Sequence, residues 1–178
     1  VHRLDRDTSG CLLIAKKRSA LRDLHEQLRS KQVDKRYHAL VAGEWPANCF
    51  KVDAPLQKNV LKSGERLVSV SNEGKPSETR FRVLRNFTHS TLIEASPITG
   101  RTHQIRVHCL HAGHAIAMDS KYGDDDFDAK LKKLQFTRLF LHAKSLSFNH
   151  PVSKERVRFE AEYDSALSKL IEKQSHEI

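Results

Sequence analysis

Apolar residues recur along this chain at two periods, and the switches between them mark out its elements. Cys11-Leu12-Leu13-Ile14-Ala15 is a short unbroken apolar run after Ser9-Gly10, and its length predicts an interior strand. Leu21, Leu24 and Leu28 follow at helical spacing, with Arg22, Asp23, Glu26 and Arg29 on the wet side and Ser19 placed to cap the helix. Tyr37, Ala39 and Val41 alternate with His38, Leu40 and Ala42 up to Gly43, which predicts a strand with apolar character on both faces. Glu44 to Asn48, with Trp45-Pro46 inside it, reads as a turn. The stretch around Pro55-Leu56 and Ser63-Gly64-Glu65 is weakly patterned and supports only short strands. From Ser77 to Leu84, Phe81 and Val83 alternate with Arg80 and Arg82; this strand should pair with Thr91 to Ala95 across a turn near Asn86 and His89.

Pro97-Ile98-Thr99-Gly100 then turns the chain. Ile105, Cys109 and Ala112 fall near one face of a helix expected from about Thr102 to Ala112, with Gly113 as its stop. A further helix follows Asp124-Asp125-Asp126, whose three acids complement the positive end of its dipole, and it turns Phe127, Leu131 and Leu134 to one side. Leu139 to Phe148 and Val157 to Tyr163 read as strands, the second with Val157, Phe159, Ala161 and Tyr163 inward. Asp164 caps a last helix that uses Leu167, Leu170 and Ile171. Strands in adjacent pairs with helices between them predict an α+β fold, a mixed and mostly antiparallel sheet with flanking helices. The strand–helix–strand start has the form of a crossover unit, but no repeating series or internal repeat continues it.

Size and charge narrow the picture. The 178 residues fit one domain, and 31 basic against 22 acidic side chains give a formal charge of +9, a balance that favours a polyanionic partner. The three cysteines, Cys11, Cys49 and Cys109, have no ligand-like spacing and point to reduced thiols in the cytosol. No apolar segment approaches the roughly 20 residues that span a bilayer, so no membrane role is expected.

Four regions carry chemistry. In His2-Arg3-Leu4-Asp5-Arg6-Asp7-Thr8-Ser9-Gly10 one carboxylate, Asp5, stands between two guanidinium groups, which suits a nucleophile or base beside a polyanion and equally a salt-bridged loop. In Thr99-Gly100-Arg101-Thr102-His103-Gln104-Ile105-Arg106-Val107-His108 a glycine turn enters a helix, leaving amides free to meet an anion, and Arg106 can hold a carboxylate with its planar fork. Lys35-Arg36-Tyr37 sets an aromatic ring beside cations at a strand start, where it can stack on an unpaired base while the cations meet its backbone. The histidines His103, His108, His111 and His114 with Cys109 invite a zinc site, but no C-x-x-C or H-E-x-x-H arrangement accompanies them.

Three of these blocks, read in order, resemble the RluA family of pseudouridine synthases: His2 to Gly10, Lys35-Arg36-Tyr37-His38-Ala39-Leu40-Val41, and Thr99 to His108. The resemblance implies a bent, mixed sheet around an RNA-binding cleft, no metal or organic cofactor, and isomerisation of specific uridines to pseudouridine in large-subunit (23S) ribosomal RNA. No obligate protein partner is implied. It makes Asp5 the indispensable aspartate, Arg106 its ion-pair partner, and Tyr37 the aromatic packed on the target base. It puts Arg3 near the space vacated by a flipped nucleotide and gives Arg101 and His103 supporting places in the cleft. With Arg6, Lys35 and Arg36 these are the expected RNA contacts. It further implies that residues 1–178 are a catalytic domain without its usual amino-terminal portion, which includes early strands, and without a preceding S4-like RNA-binding domain. The competing function classes are a non-catalytic RNA-binding module and a metal-dependent phosphoesterase or nuclease built on the histidines and Asp124-Asp125-Asp126.

Overall fold

Two long strands with opposite faces buried under different helices set the frame that everything else hangs on. The computed structural model describes residues 1–60, 64 and 66–175. Its first elements are β1 (Ser9–Gly10), α1 (Arg18–Arg29), β2 (Asp34–Ala42), β3 (Lys51–Asp53), β4 (Leu56–Val60) and β5 (Arg66–Val70). Then come β6 (Glu78–Asn86), β7 (Ser90–Pro97), α2 (Gln104–His111), α3 (Asp125–Lys133), β8 (Leu141–Asn149), β9 (Arg156–Glu160) and α4 (Ser165–Ser175). Seven strands form one sheet in the order β1-β8-β2-β7-β6-β3, with β9 also on β8, while β4 and β5 make a separate hairpin. Only β1 and β8 pair in parallel among the described strands. The expected mixed, mostly antiparallel α+β architecture is what is found.

The period of two explains the layering. Along β2, Tyr37, Ala39 and Val41 face Ile105 and Cys109 of α2, whereas Leu40 faces Phe127 and Leu131 of α3 and Leu167 and Leu170 of α4. Burying each such aliphatic or aromatic side chain is worth roughly 1.5–3 kcal/mol, so both faces of the central strands are firmly covered. A third cluster joins Leu24 of α1 to Val33, Leu146 and Phe148. The acidic caps act as expected: Asp124 accepts from the Phe127 amide at 2.8 Å and Asp164 from the Leu167 amide at 3.0 Å. Gly113, at φ +88°, follows the end of α2.

Several expectations are corrected. Cys11–Ala15 is not an interior strand. Gly10 pairs with Ala143, Cys11 donates its amide to the Ala143 carbonyl at 2.9 Å, and from Ser145 onward β9 occupies that edge of β8. No ladder is left for residues 11–15, so Cys11, Leu13 and Ala15 pack on the α1 cluster while Leu12 and Ile14 are 51% and 75% exposed. Gly10 itself is required: at φ +111° a Cβ would lie 2.3 Å from the Ala143 oxygen. The start is not a crossover unit either, because β2 runs antiparallel to β8 whereas β1 runs parallel to it. Ser19 lies inside the first turn of α1, whose cap is Lys17. Val83 is turned outward where the β6–β7 register shifts. β9 ends at Glu160 and, as an edge strand with one uncovered side, leaves Phe159 57% exposed. Ser63 and Glu65, in the weakly patterned stretch, lie outside the described residues.

Candidate functional site

The segment ending at Thr8, the end of α1, the start of β2 and the Pro97–Arg106 stretch surround a cleft of about 470 Å³. Asp5 enters it from a tight turn closed by the Thr8 amide, which donates to the Asp5 carbonyl at 3.0 Å. Arg106 enters from the first turn of α2, carried there because Ile105 and Val107 beside it are buried. Its Nη1 donates to Asp5 Oδ2 at 3.2 Å, across 101 positions of sequence. Its Nε and Nη2 donate, at 2.7 Å each, to Oδ2 and Oδ1 of Asp119, a residue no sequence pattern singled out. Burial works against the charge on Arg106, but the bonds and charge of Asp119, then those of Asp5, outweigh it and the net shift is upward.

Tyr37 lines the same cleft from β2. Burial first, and then the negative charge of Asp5, push its phenol up to about 12, so the ring is neutral at any ordinary pH. Lys35 shares its face by the period of two, and burial holds its ammonium below the ordinary lysine value. Burial, then the Lys35 charge, push the His2 imidazole down to about 4, which agrees with its Nε2 accepting the Leu13 amide at 3.0 Å. His103 adopts a left-handed backbone, φ +53°, immediately before α2. The Tyr122 hydroxyl accepts from the Val68 amide at 2.9 Å and lies 2.8 Å from His103 Nδ1, a hydrogen bond whose direction follows the tautomer of the neutral imidazole. Burial, then Arg106, lower the His103 pKa and favour this neutral form.

Charge in the cleft is strongly one-sided. Asp5 is the single carboxylate among its lining residues, against Arg3, Arg29, Lys31, Lys35, Arg101 and Arg106. Arg29 is engaged by Glu26 and Arg101 donates to the Pro76 carbonyl. Among the described residues, no carboxylate pairs with Arg3, Lys31, Lys35 or Arg101. A held carboxylate on a cationic, partly apolar floor can take a proton from, or add to, one group of a polyanion that the rim binds. Thr8 Oγ1, also in the lining residue set, is the buried side-chain oxygen left without a partner among the described residues.

The sequence model of the family described as RNA pseudouridylate synthase matches residues 1–111. The chain belongs to that family. It is 61% identical over 167 residues to the ribosomal large subunit pseudouridine synthase C of Yersinia pestis, covering 94% of this chain and 52% of that protein. To the protein of that name from Escherichia coli K12 it is 58% identical over 175 residues, covering 97% and 55%. It thus spans about half the length of the curated relatives it matches. Among solved structures, human RNA pseudouridylate synthase domain containing 4 superposes with TM-score 0.79 at 25% identity, covering 98% of this chain and 74% of that one. The RluA-type resemblance of the sequence is borne out.

Within this family member, the cleft gathers Asp5, Arg106, Tyr37, Arg3, Lys35, Arg101 and His103. It does not gather Arg6 or Arg36. Arg6 points to solvent and bonds Asp7 at 3.1 Å. Arg36 lies on the opposite face of β2 from Tyr37, where Asp34 and Glu94 engage it. The amide of Arg101, expected to be free for an anion, is taken by Gln104 Oε1 at 3.0 Å. The histidines diverge: His108 is buried between Thr79 Oγ1 and the Ala54 carbonyl, and His114 bonds the Ala42 carbonyl. Among the described residues no three His, Cys, Asp or Glu side chains form a group able to hold a metal ion. Asp124 serves as a helix cap. Besides Asp119, sequence reasoning missed Arg29 and Lys31 at the end of α1, which ordinary solvent-facing helix positions would not betray.

Proposed function

We propose that the full-length protein converts specific uridines of large-subunit ribosomal RNA to pseudouridine, with Asp5 as the reacting carboxylate, and that it works in the cytoplasm. The observation that carries this is the Asp5–Arg106 contact at the floor of a cleft whose other charged lining is cationic. The relatives' name supplies the RNA class, and the family supplies the reaction.

The isomerisation breaks the C1′–N1 bond of uridine, turns the uracil, forms a C1′–C5 bond, and moves one proton from C5 while N1 gains one. Extruding the base from its stack costs a few kcal/mol, less where the RNA is looped. Cations at Arg3, Lys31, Lys35 and Arg101 offset that cost by holding phosphate. Tyr37 offers a neutral, half-buried ring for the extruded uracil to pack on and limits how far it travels once detached. Arg106 keeps the Asp5 carboxylate aimed into the cleft. Asp5 then abstracts a ribose proton as the glycosidic bond breaks, giving a glycal that is protonated again as C5 bonds to C1′. Attack of the carboxylate on C1′, or on the uracil ring, is the rival route, and a primary isotope effect with 2′-deuterated substrate separates it from this one.

The experiment is chemical mapping of pseudouridine after incubating full-length protein with unmodified ribosomal RNA. Wild type should introduce pseudouridine without shortening the RNA, and Asp5→Asn should introduce none while still binding. Equal modification by both proteins rejects the role given to Asp5, and strand cleavage sensitive to a chelator would place the protein in a different class.

A further inference from the structure

We propose that Asp119 is a positioning residue for this reaction: it grips Arg106 so that a single N–H of the guanidinium is delivered to Asp5. The inference rests on the assignment of Asp5 as the reacting carboxylate. Its basis is the way the Arg106 fork is divided. Nε and Nη2 are closed onto Asp119 by two 2.7 Å bonds, leaving Nη1 to reach Asp5 at 3.2 Å. The short bidentate contact fixes the plane of the guanidinium, and the longer contact follows from it.

Asp119 is itself immobilised. Its side chain has no exposure to solvent, and Oδ1 also accepts from the amides of Lys121 and Tyr122 at 3.0 and 3.1 Å. On one side the Met118 amide is held by Asp128 Oδ1 at 2.7 Å. On the other, Gly123 packs so closely on the Asp119 carbonyl that a Cβ there would lie 2.3 Å from its oxygen. Ala117 joins the segment to the sheet through Leu40 and Phe140. The Tyr122 ring, its centroid 5.1 Å from the Arg106 Cζ, covers the guanidinium. Held by Asp5 alone, a guanidinium in this cleft could turn away to a phosphate of the incoming RNA. Asp119 removes that freedom, so substrate binding leaves the Asp5 contact in place.

The test uses full-length protein, unmodified ribosomal RNA and single-turnover kinetics. Asp119→Asn keeps the acceptor for the two amides but turns an NH₂ group toward Arg106 or loses one bond to it. Its RNA Kd should stay within about threefold of wild type while the single-turnover rate falls roughly 30- to 100-fold, the scale of a small misplacement of a reacting group. In an Arg106→Lys background the same change should alter the rate less than about threefold, since a lysine cannot bridge both carboxylates. An equal fold-loss in both backgrounds, or a near wild-type rate for Asp119→Asn, overturns the proposal. If Asp119→Asn does not fold, the Arg106 Nε–H of the wild type decides by NMR: slow solvent exchange is expected, and exchange as fast as in free arginine overturns it. Asp5→Asn is measured alongside. Should it remain active, the underlying assignment falls whatever Asp119 does; should it be inactive while Asp119→Asn is not, only the positioning role falls.

Discussion

Arg106→Lys retains the positive charge and removes the planar fork, so it separates geometry from electrostatics. In the wild type three donor contacts spread over two carboxylates, two at 2.7 Å to Asp119 and one at 3.2 Å to Asp5. A lysine ammonium, a point charge on a shorter head group, serves one of them with good geometry, and Asp119 is the nearer and better fixed. The Asp5 contact is therefore lost. At 3.2 Å it sits at the long end for a charge-assisted bond, so roughly 1.5–3 kcal/mol is the range for its removal. With a tenfold rate change per 1.36 kcal/mol, the single-turnover rate should fall about 10- to 150-fold. Replacing a bidentate grip on the unexposed Asp119 side chain by one bond should also cost about 2–4 kcal/mol of stability. For a chain of this size that is a fall in Tm of roughly 5–15 °C. Thermal melts followed by circular dichroism, filter-binding for RNA and single-turnover pseudouridine formation read the three quantities separately. A folded Arg106→Lys protein that reacts at the wild-type rate, or whose whole loss lies in RNA affinity, would refute the orienting role.

Three further outcomes follow from the cleft. Tyr37→Phe should keep the rate within about threefold under the proposed packing role, in which the phenol, pushed up to about 12 by burial and Asp5, stays neutral and its ring supports the uracil; loss of turnover with intact binding would mean that the hydroxyl takes part. Lys35→Met should weaken RNA binding and flatten the slope of log Kobs against log salt by about 0.7–0.9, as expected for one lost phosphate contact, and an unchanged slope measured by filter-binding would remove Lys35 from the interface. Acid should destabilise the protein through its histidines. His2 is depressed from 6.5 to about 4, chiefly by burial, so the unfolded chain binds more protons between those values; its stabilising share is complete above pH 6.5 and lost as pH falls toward 4. Melts from pH 7 to 4 should show His2→Gln losing less Tm than wild type, and equal losses would contradict this.

Much of the scaffold was legible because periodicity is a local property. The alternation in β2 and the first half of β6 and the acids that cap α3 and α4 need only neighbouring residues to be understood. Cys11–Ala15 misled for the complementary reason: an apolar run shows what wants burial, but only the tertiary arrangement shows that β9 already occupies the edge beyond Ala143. The Asp5–Arg106 contact spans 101 positions, and no spacing rule connects them; the family resemblance did. Arg36 could have been set apart from Lys35 and Tyr37 by the period of two alone, since adjacent strand residues face opposite ways. Asp119 could not have been found in this way. A buried aspartate gripping an arginine has the same local appearance as any aspartate in a polar loop, and the fork that identifies it is made only when α2 packs against the segment after Ile116.

The most direct test of the central claim is a structure of the full-length protein bound to RNA carrying a uridine that cannot complete isomerisation. An Asp5 carboxylate oxygen should lie about 3–3.5 Å from the ribose of the everted nucleotide, with Arg106 still on the other oxygen. An everted nucleotide whose ribose is beyond about 6 Å from Asp5, or that instead meets a different acidic side chain, would contradict the assignment.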